Sequence, residues 1–213
     1  MGVGAHRLGE NSIMHDKTVH DVPLGKTLMR GLARIIFRVT GWRPAGKRPS
    51  LPKYVIIAAP HTSNWDFLYT LCLAFILEIK PFIMMKGDWF RWPLGPMLGW
   101  FGAIPIDRSR STHVVARSID AFHKRRRFVL LVPPSGTRSK VMHWKSGFYH
   151  IAVGANVPIV LGYLDYRRKV GGIGPIVHPT GNLEEDMKII KAFYVGITAK
   201  YPEQALGSPA SVE

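Results

Sequence analysis

A histidine followed five positions later by an aspartate, His61 and Asp66 in the stretch Pro60-His61-Thr62-Ser63-Asn64-Trp65-Asp66, is the first pair in this sequence able to do acid–base chemistry. An imidazole with one nitrogen held by a carboxylate presents the other as a base to an approaching hydroxyl. The same spacing fits a plainer role, in which Asp66 caps a helix starting near Ser63 and His61 packs locally. The residues alone leave both readings open. Two basic clusters follow. Gly102-Ala103-Ile104-Pro105-Ile106-Asp107-Arg108-Ser109 delivers Arg108 at the end of an apolar run, and Pro133-Pro134-Ser135-Gly136-Thr137-Arg138-Ser139-Lys140 sets Ser135, Gly136, Thr137 and Arg138 in a small turn. Backbone N–H groups beside a hydroxyl and a guanidinium suit a phosphate, because arginine forms two parallel charge-assisted hydrogen bonds to it. A solvated basic turn is the alternative for either cluster. The nine histidines show no His-Glu-x-x-His or comparable spacing, and the single cysteine, Cys72, cannot build a thiolate cage, so no metal centre is expected.

These residues need elements to position them. The run YVIIAA over 54–59 ends at Pro60 and reads as a buried strand, leaving His61 just past its carboxyl end, where open α/β sheets place their ligands. The Ser63-x-x-Asp66 box then opens a helix carrying Phe67, Leu68, Leu71, Phe75 and Ile79 at helical spacing, with Cys72 inside it as a core residue. Apolar runs at 82–85, 103–106, 128–132 and 159–163 predict further strands, and helical patterns occupy 112–124, 147–155 and 184–201. Alternation of this kind predicts an α/β domain with a largely parallel central sheet flanked by helices, the three clusters meeting on one sheet edge.

Charge narrows the partners. The 213 residues carry 29 Lys and Arg against 14 Asp and Glu, a net +15, with 46% hydrophobic residues to build a core. No acidic residue lies between Asp21 and Asp66 or between Asp120 and Asp165, while these gaps hold eight and seven Lys or Arg. An anionic partner is expected, and no helix-turn-helix, zinc or single-strand-binding pattern points to nucleic acid. Over 24–39, Lys26, Arg30, Arg34 and Arg38 form a basic stripe beside Leu28, Leu32, Ile35, Ile36 and Val39. Such a helix can lie in a headgroup plane, or pack as a surface helix on the domain. Gly41, Pro44, Gly46 and Pro49 mark a linker after it. The segment from Trp89 to Phe101 crowds Trp89, Phe90, Trp92, Met97, Leu98, Trp100 and Phe101 together, as a core hairpin or short helix, or as an acyl-groove wall or interfacial aromatic belt. The expected organisation is a flexible tail over 1–21, the basic helix and linker over 22–52, the main domain over 53–201 and a flexible tail over 202–213. The chain shows no signal-peptide pattern and no apolar run of the roughly 18 to 20 residues a spanning helix needs, which predicts a cytoplasmic protein peripheral on the membrane.

In order and approximate spacing, the blocks HTSNWD, GAIPIDR, GTRS and Val157-Pro158-Ile159-Val160 resemble the four blocks of the glycerolipid acyltransferase family, over about 54–166. The resemblance implies that His61 is the catalytic base oriented by Asp66. It implies that Arg108 binds an acceptor phosphate with Lys86 upstream of it, and that Gly136, Thr137 and Arg138 form the third block. It implies acyl transfer from acyl-CoA or acyl carrier protein to a lysophospholipid, glycerol phosphate or other hydroxyl acceptor, with no cofactor beyond that thioester co-substrate. One position departs from the pattern: Ser135 stands where the family usually has Glu, and a serine supplies no carboxylate to acceptor hydroxyls. A lipid-binding member with altered catalysis, or an acyl-thioesterase, is the alternative that departure raises.

Overall fold

The computed structural model describes residues 18–106, 111–137, 140–141 and 143–205. Seven strands form one sheet: β1 (Arg43–Ala45), β2 (Lys53–Ala59), β3 (Pro81–Lys86), β4 (Ala103–Ile106), β5 (Phe128–Val132), β6 (Ile159–Asp165) and β7 (Val170–Val177), in the spatial order β1-β7-β6-β2-β5-β3-β4. The five strands from β6 to β4 run parallel, β7 is antiparallel to β6, and β1 runs alongside β7. β2 sits in the middle with both neighbours parallel, so both of its faces must be apolar, and its near-continuous hydrophobic run meets that demand.

Successive residues of β2 feed opposite layers. Val55, Ile57 and Ala59 pack with Phe122, Phe148, Ile151 and Ile190 under α4 (Ser111–Lys124), α5 (Gly147–Gly154) and α6 (Leu183–Tyr194). Tyr54 and Ile56 face the other way, with Ile83, Leu131 and Val160, beneath α2 (Asn64–Ile76) and the residues that follow it. α1 (Pro23–Thr40) lies outside α2, burying Ala33 and Phe37 against Tyr69, Cys72 and Leu73. α3 (Leu94–Trp100), preceded by a 3-10 turn at Gly87–Phe90, bridges β3 and β4.

The strands expected at 54–59, 82–85, 103–106, 128–132 and 159–163 are all present, and the parallel α/β architecture is as predicted. Several boundaries differ. The stretch expected to be only a linker contributes β1, which pairs with β7, a strand the sequence pattern did not give. β7 reads VGGIGPIV, too rich in Gly and Pro for a strand signal, and the reason is packing: a Cβ at Gly172 would stand 1.9 Å from the Ala45 carbonyl oxygen. α6 stops at Tyr194 instead of 201, and the chain beyond returns across the sheet edge, where the Tyr201 N–H donates to Thr62 Oγ1. Near the ends, Val19–Asp21 forms a Thr18-capped 3-10 turn with Val19 buried, and Pro202–Gln204 another with Ala205 buried, so described structure extends into both expected tails.

Candidate active site

β2 ends at Ala59, and the chain turns through Pro60, His61 and Thr62 into α2, for which Ser63 is the N-cap. The Ser63 Oγ accepts from the Trp65 N–H at 3.2 Å. Asp66 Oδ2 accepts the N–H groups of Thr62 and Ser63, each at 2.8 Å, which completes the capping box. The same Oδ2 stands 3.2 Å from His61 Nδ1. Capping and orienting, left as alternatives by the spacing, are therefore two contacts of one carboxylate. Asp66's side chain is 5% exposed and His61's 24%, so the anion is sealed while the ring reaches open space. With Nδ1 held by the carboxylate, the other ring nitrogen, Nε2, is the one available as a base.

The other carboxylate oxygen has a partner from far along the chain: Tyr166 Oη donates to Asp66 Oδ1 at 2.6 Å. Burial alone would raise the Asp66 carboxyl, but the hydrogen bonds from His61, Tyr166 and the Ser63 amide outweigh it and hold it below the usual carboxylate range. Tyr166 moves the opposite way, its phenol pushed far above the usual range by burial first and then by its bond to Asp66. Tyr166 was missing from the expected site. It follows the carboxyl end of β6 directly, and that position, on the edge where His61 lies, was the available signal.

His61 opens on a cavity of about 440 Å³ between α2, the carboxyl ends of β3 and β5, and the aromatic segment. Phe67, Met85, Trp89, Leu94 and Leu98 give it apolar walls, and Lys86, Gly136 and Thr137 also line it. The structure thus brings five expected residues to one space: His61, Asp66, Lys86, Gly136 and Thr137. Lys86 is half exposed and forms an ion pair with Asp88. Gly136 takes a φ of +64° that favours glycine, and its N–H donates to the Pro133 carbonyl. Ser135 lies off this cavity, beside His61 and Trp144 in a small recess, and its hydroxyl donates to the Thr137 carbonyl at 2.7 Å. Arg108 and Arg138 lie outside the described residues. The aromatic segment forms the short helix α3, one of its expected forms, and much of it faces solvent: Leu98 is buried, while Trp92 is 88% exposed, and Met97 and Trp100 are exposed as well. No group of His, Cys, Asp and Glu among the described residues is placed to hold a metal.

The fold is thus a mostly parallel α/β sheet with an imidazole–carboxylate pair at its carboxyl edge. The profile of the acyltransferase family matches residues 37–161, and the chain belongs to that family. Among solved structures, it resembles the crystal structure of the 1-acyl-sn-glycerophosphate (LPA) acyltransferase PlsC from Thermotoga maritima. The TM-score is 0.55 at 17% identity, covering 79% of this chain and 76% of that one, a likeness of fold. A search of curated proteins finds no match.

Proposed function

We propose that this acyltransferase moves a fatty acyl group from an acyl thioester, on coenzyme A or acyl carrier protein, to the hydroxyl of a lysophospholipid or glycerol-phosphate-type acceptor. The observation that carries the reading is the 3.2 Å contact between His61 Nδ1 and a sealed Asp66, with the ring facing a largely apolar cavity of about 440 Å³. His61 takes the acceptor's hydroxyl proton as its oxygen attacks the thioester carbonyl. The new C–O bond forms, the C–S bond breaks, and the imidazolium returns the proton to the departing thiolate. Asp66 stabilises the imidazolium and fixes the ring's orientation. The apolar walls accommodate the acyl chain, and Lys86, with Arg108 and Arg138 by family resemblance, meets the anionic headgroup. Chemistry of this kind needs no metal and no redox cofactor.

The substrate reading implies a membrane surface. Leu24, Leu28, Leu32, Ile35 and Val39 form an exposed apolar face on α1, and no helix among the described residues is long and apolar enough to cross a membrane. We place the protein peripherally on an anionic cytoplasmic bilayer, α1 in the headgroup plane. A panel of lysophospholipids, glycerol phosphate and uncharged alcohols with one labelled acyl thioester tests the reading, with a no-acceptor control to expose plain hydrolysis. His61→Ala should lower transfer by about 10²- to 10⁴-fold, the range typical of losing a general base, with the fold intact. Wild-type turnover in that variant would refute the mechanism. Since Ser135 supplies no carboxylate, free fatty acid as the main product with every acceptor would establish the thioesterase alternative instead.

A further inference from the structure

We propose that Tyr166 is a positioning residue for the transfer reaction: its phenol pins the Asp66 carboxylate in the orientation from which that carboxylate holds His61. This deepens the general-base reading and rests on it. Asp66 uses Oδ2 for two backbone amides and the imidazole, and Oδ1, among the described residues, for Tyr166 alone at 2.6 Å. Without the phenol, Oδ1 would be a buried charged oxygen with no donor among the described residues, and rotating the carboxylate to find one would pull Oδ2 from the ring.

Tyr166 is itself held from three directions, at its backbone and at two edges of its ring. The Tyr166 N–H donates to the Thr198 carbonyl at 2.9 Å, in the segment that returns after α6. Trp42, at the end of α1, meets the ring edge-on at 4.9 Å, and Tyr69 of α2 does so at 6.2 Å. A group fixed by three separate parts of the fold is a preorganised support for the pair that does the chemistry. Burial and the neighbouring carboxylate keep the phenol protonated, hence a constant donor.

The molecule carries its own control. Asp186, in the first turn of α6, is equally buried and accepts Tyr149 Oη at 2.8 Å and the Thr180 N–H at 2.7 Å. Neither residue lines the cavity beside His61. Tyr149→Phe therefore reports what losing a buried phenol–carboxylate bond does to the fold alone.

The experiment compares purified full-length Tyr166→Phe, Tyr149→Phe and His61→Ala for kcat, KM and Tm, using whichever acceptor of the panel the wild type acylates. Tyr166→Phe should lower kcat about 10- to 100-fold, the loss seen when supports of reacting groups are removed, with KM for donor and acceptor within about twofold. Tyr149→Phe should lower Tm but keep wild-type kcat. In an Asp66→Asn background, Tyr166→Phe should do nothing further, because its effect passes through the carboxylate. Trp42→Phe, which loosens the ring without touching the phenol, should give a smaller kcat loss and serves if Tyr166→Phe proves too unstable to assay. Wild-type kcat in Tyr166→Phe beside an inactive His61→Ala overturns the proposal and spares the general-base reading. An undiminished effect in the Asp66→Asn background overturns it too, and a fully active His61→Ala overturns both.

Discussion

Asp66 shows how this fold tolerates a buried anion: amides, a ring nitrogen and a phenol together replace the water it gives up. His20 shows the reverse. Its ring lies flat on Phe75 at a centroid distance of 4.4 Å, and its buried Nε2 has no partner among the described residues. Burial, with the charge of Lys80 next, lowers it from 6.5 to about 4. Between those values the unfolded chain binds a proton that the folded one refuses, so the His20 contribution to stability is present above about pH 6.5 and is lost as pH falls toward 4. His20→Phe keeps the stacking and removes the titration, so its Tm should decline less than wild type between pH 7 and pH 4.5. Parallel declines in thermal melts would contradict the assignment. The same contrast explains what could be read from the sequence at this scale. His61 and Asp66 were legible because one turn sets their spacing, whereas Tyr166 lies 100 residues from Asp66 and reaches it only through tertiary structure.

Among the elements, α1 serves two masters. Met29, Ala33, Ile36 and Phe37 pack toward α2, so Ile36 departs from the apolar face it was grouped with in the sequence and joins the inner side. Lys26 and Arg30 turn to Glu78, so part of the basic stripe is engaged within the protein. The other side keeps Leu28 and Leu32 in solvent, at 64% and 48% exposure. The two sides should therefore separate by mutation. Phe37→Ala should cost about 3 to 5 kcal/mol in denaturant unfolding, as large-to-small core changes do. Leu28→Asp with Leu32→Asp should leave Tm nearly unchanged and reduce pelleting with anionic vesicles about tenfold or more, since burying each leucine is worth about 1.5 to 3 kcal/mol. Unchanged pelleting would remove α1 from the membrane contact. Elements were legible where burial on both sheet faces forces an apolar run, as in β2. They were not legible where geometry takes precedence over propensity: β1 contains Pro44, and β7 is built around glycines that let another backbone approach.

At the scale of the whole molecule, a charge of +15 supplies a long-range attraction that the apolar face of α1 lacks. Vesicle association should weaken as salt rises from 50 to 500 mM, and should be poorer on neutral than on anionic vesicles at every salt, because screening acts on the charge alone. Salt-independent binding would leave the hydrophobic face as the sole contact. The stacking of Trp42 on Tyr69 at 4.4 Å, with its edge against Tyr166, carries a practical corollary for anyone wishing to simplify the enzyme. Deleting residues 1–42 to make the chain easier to handle would strip away the indole that packs on Tyr69 and Tyr166, so an inactive truncate would say nothing about bilayers. Solubilised versions are better made by repainting the outward leucines than by cutting.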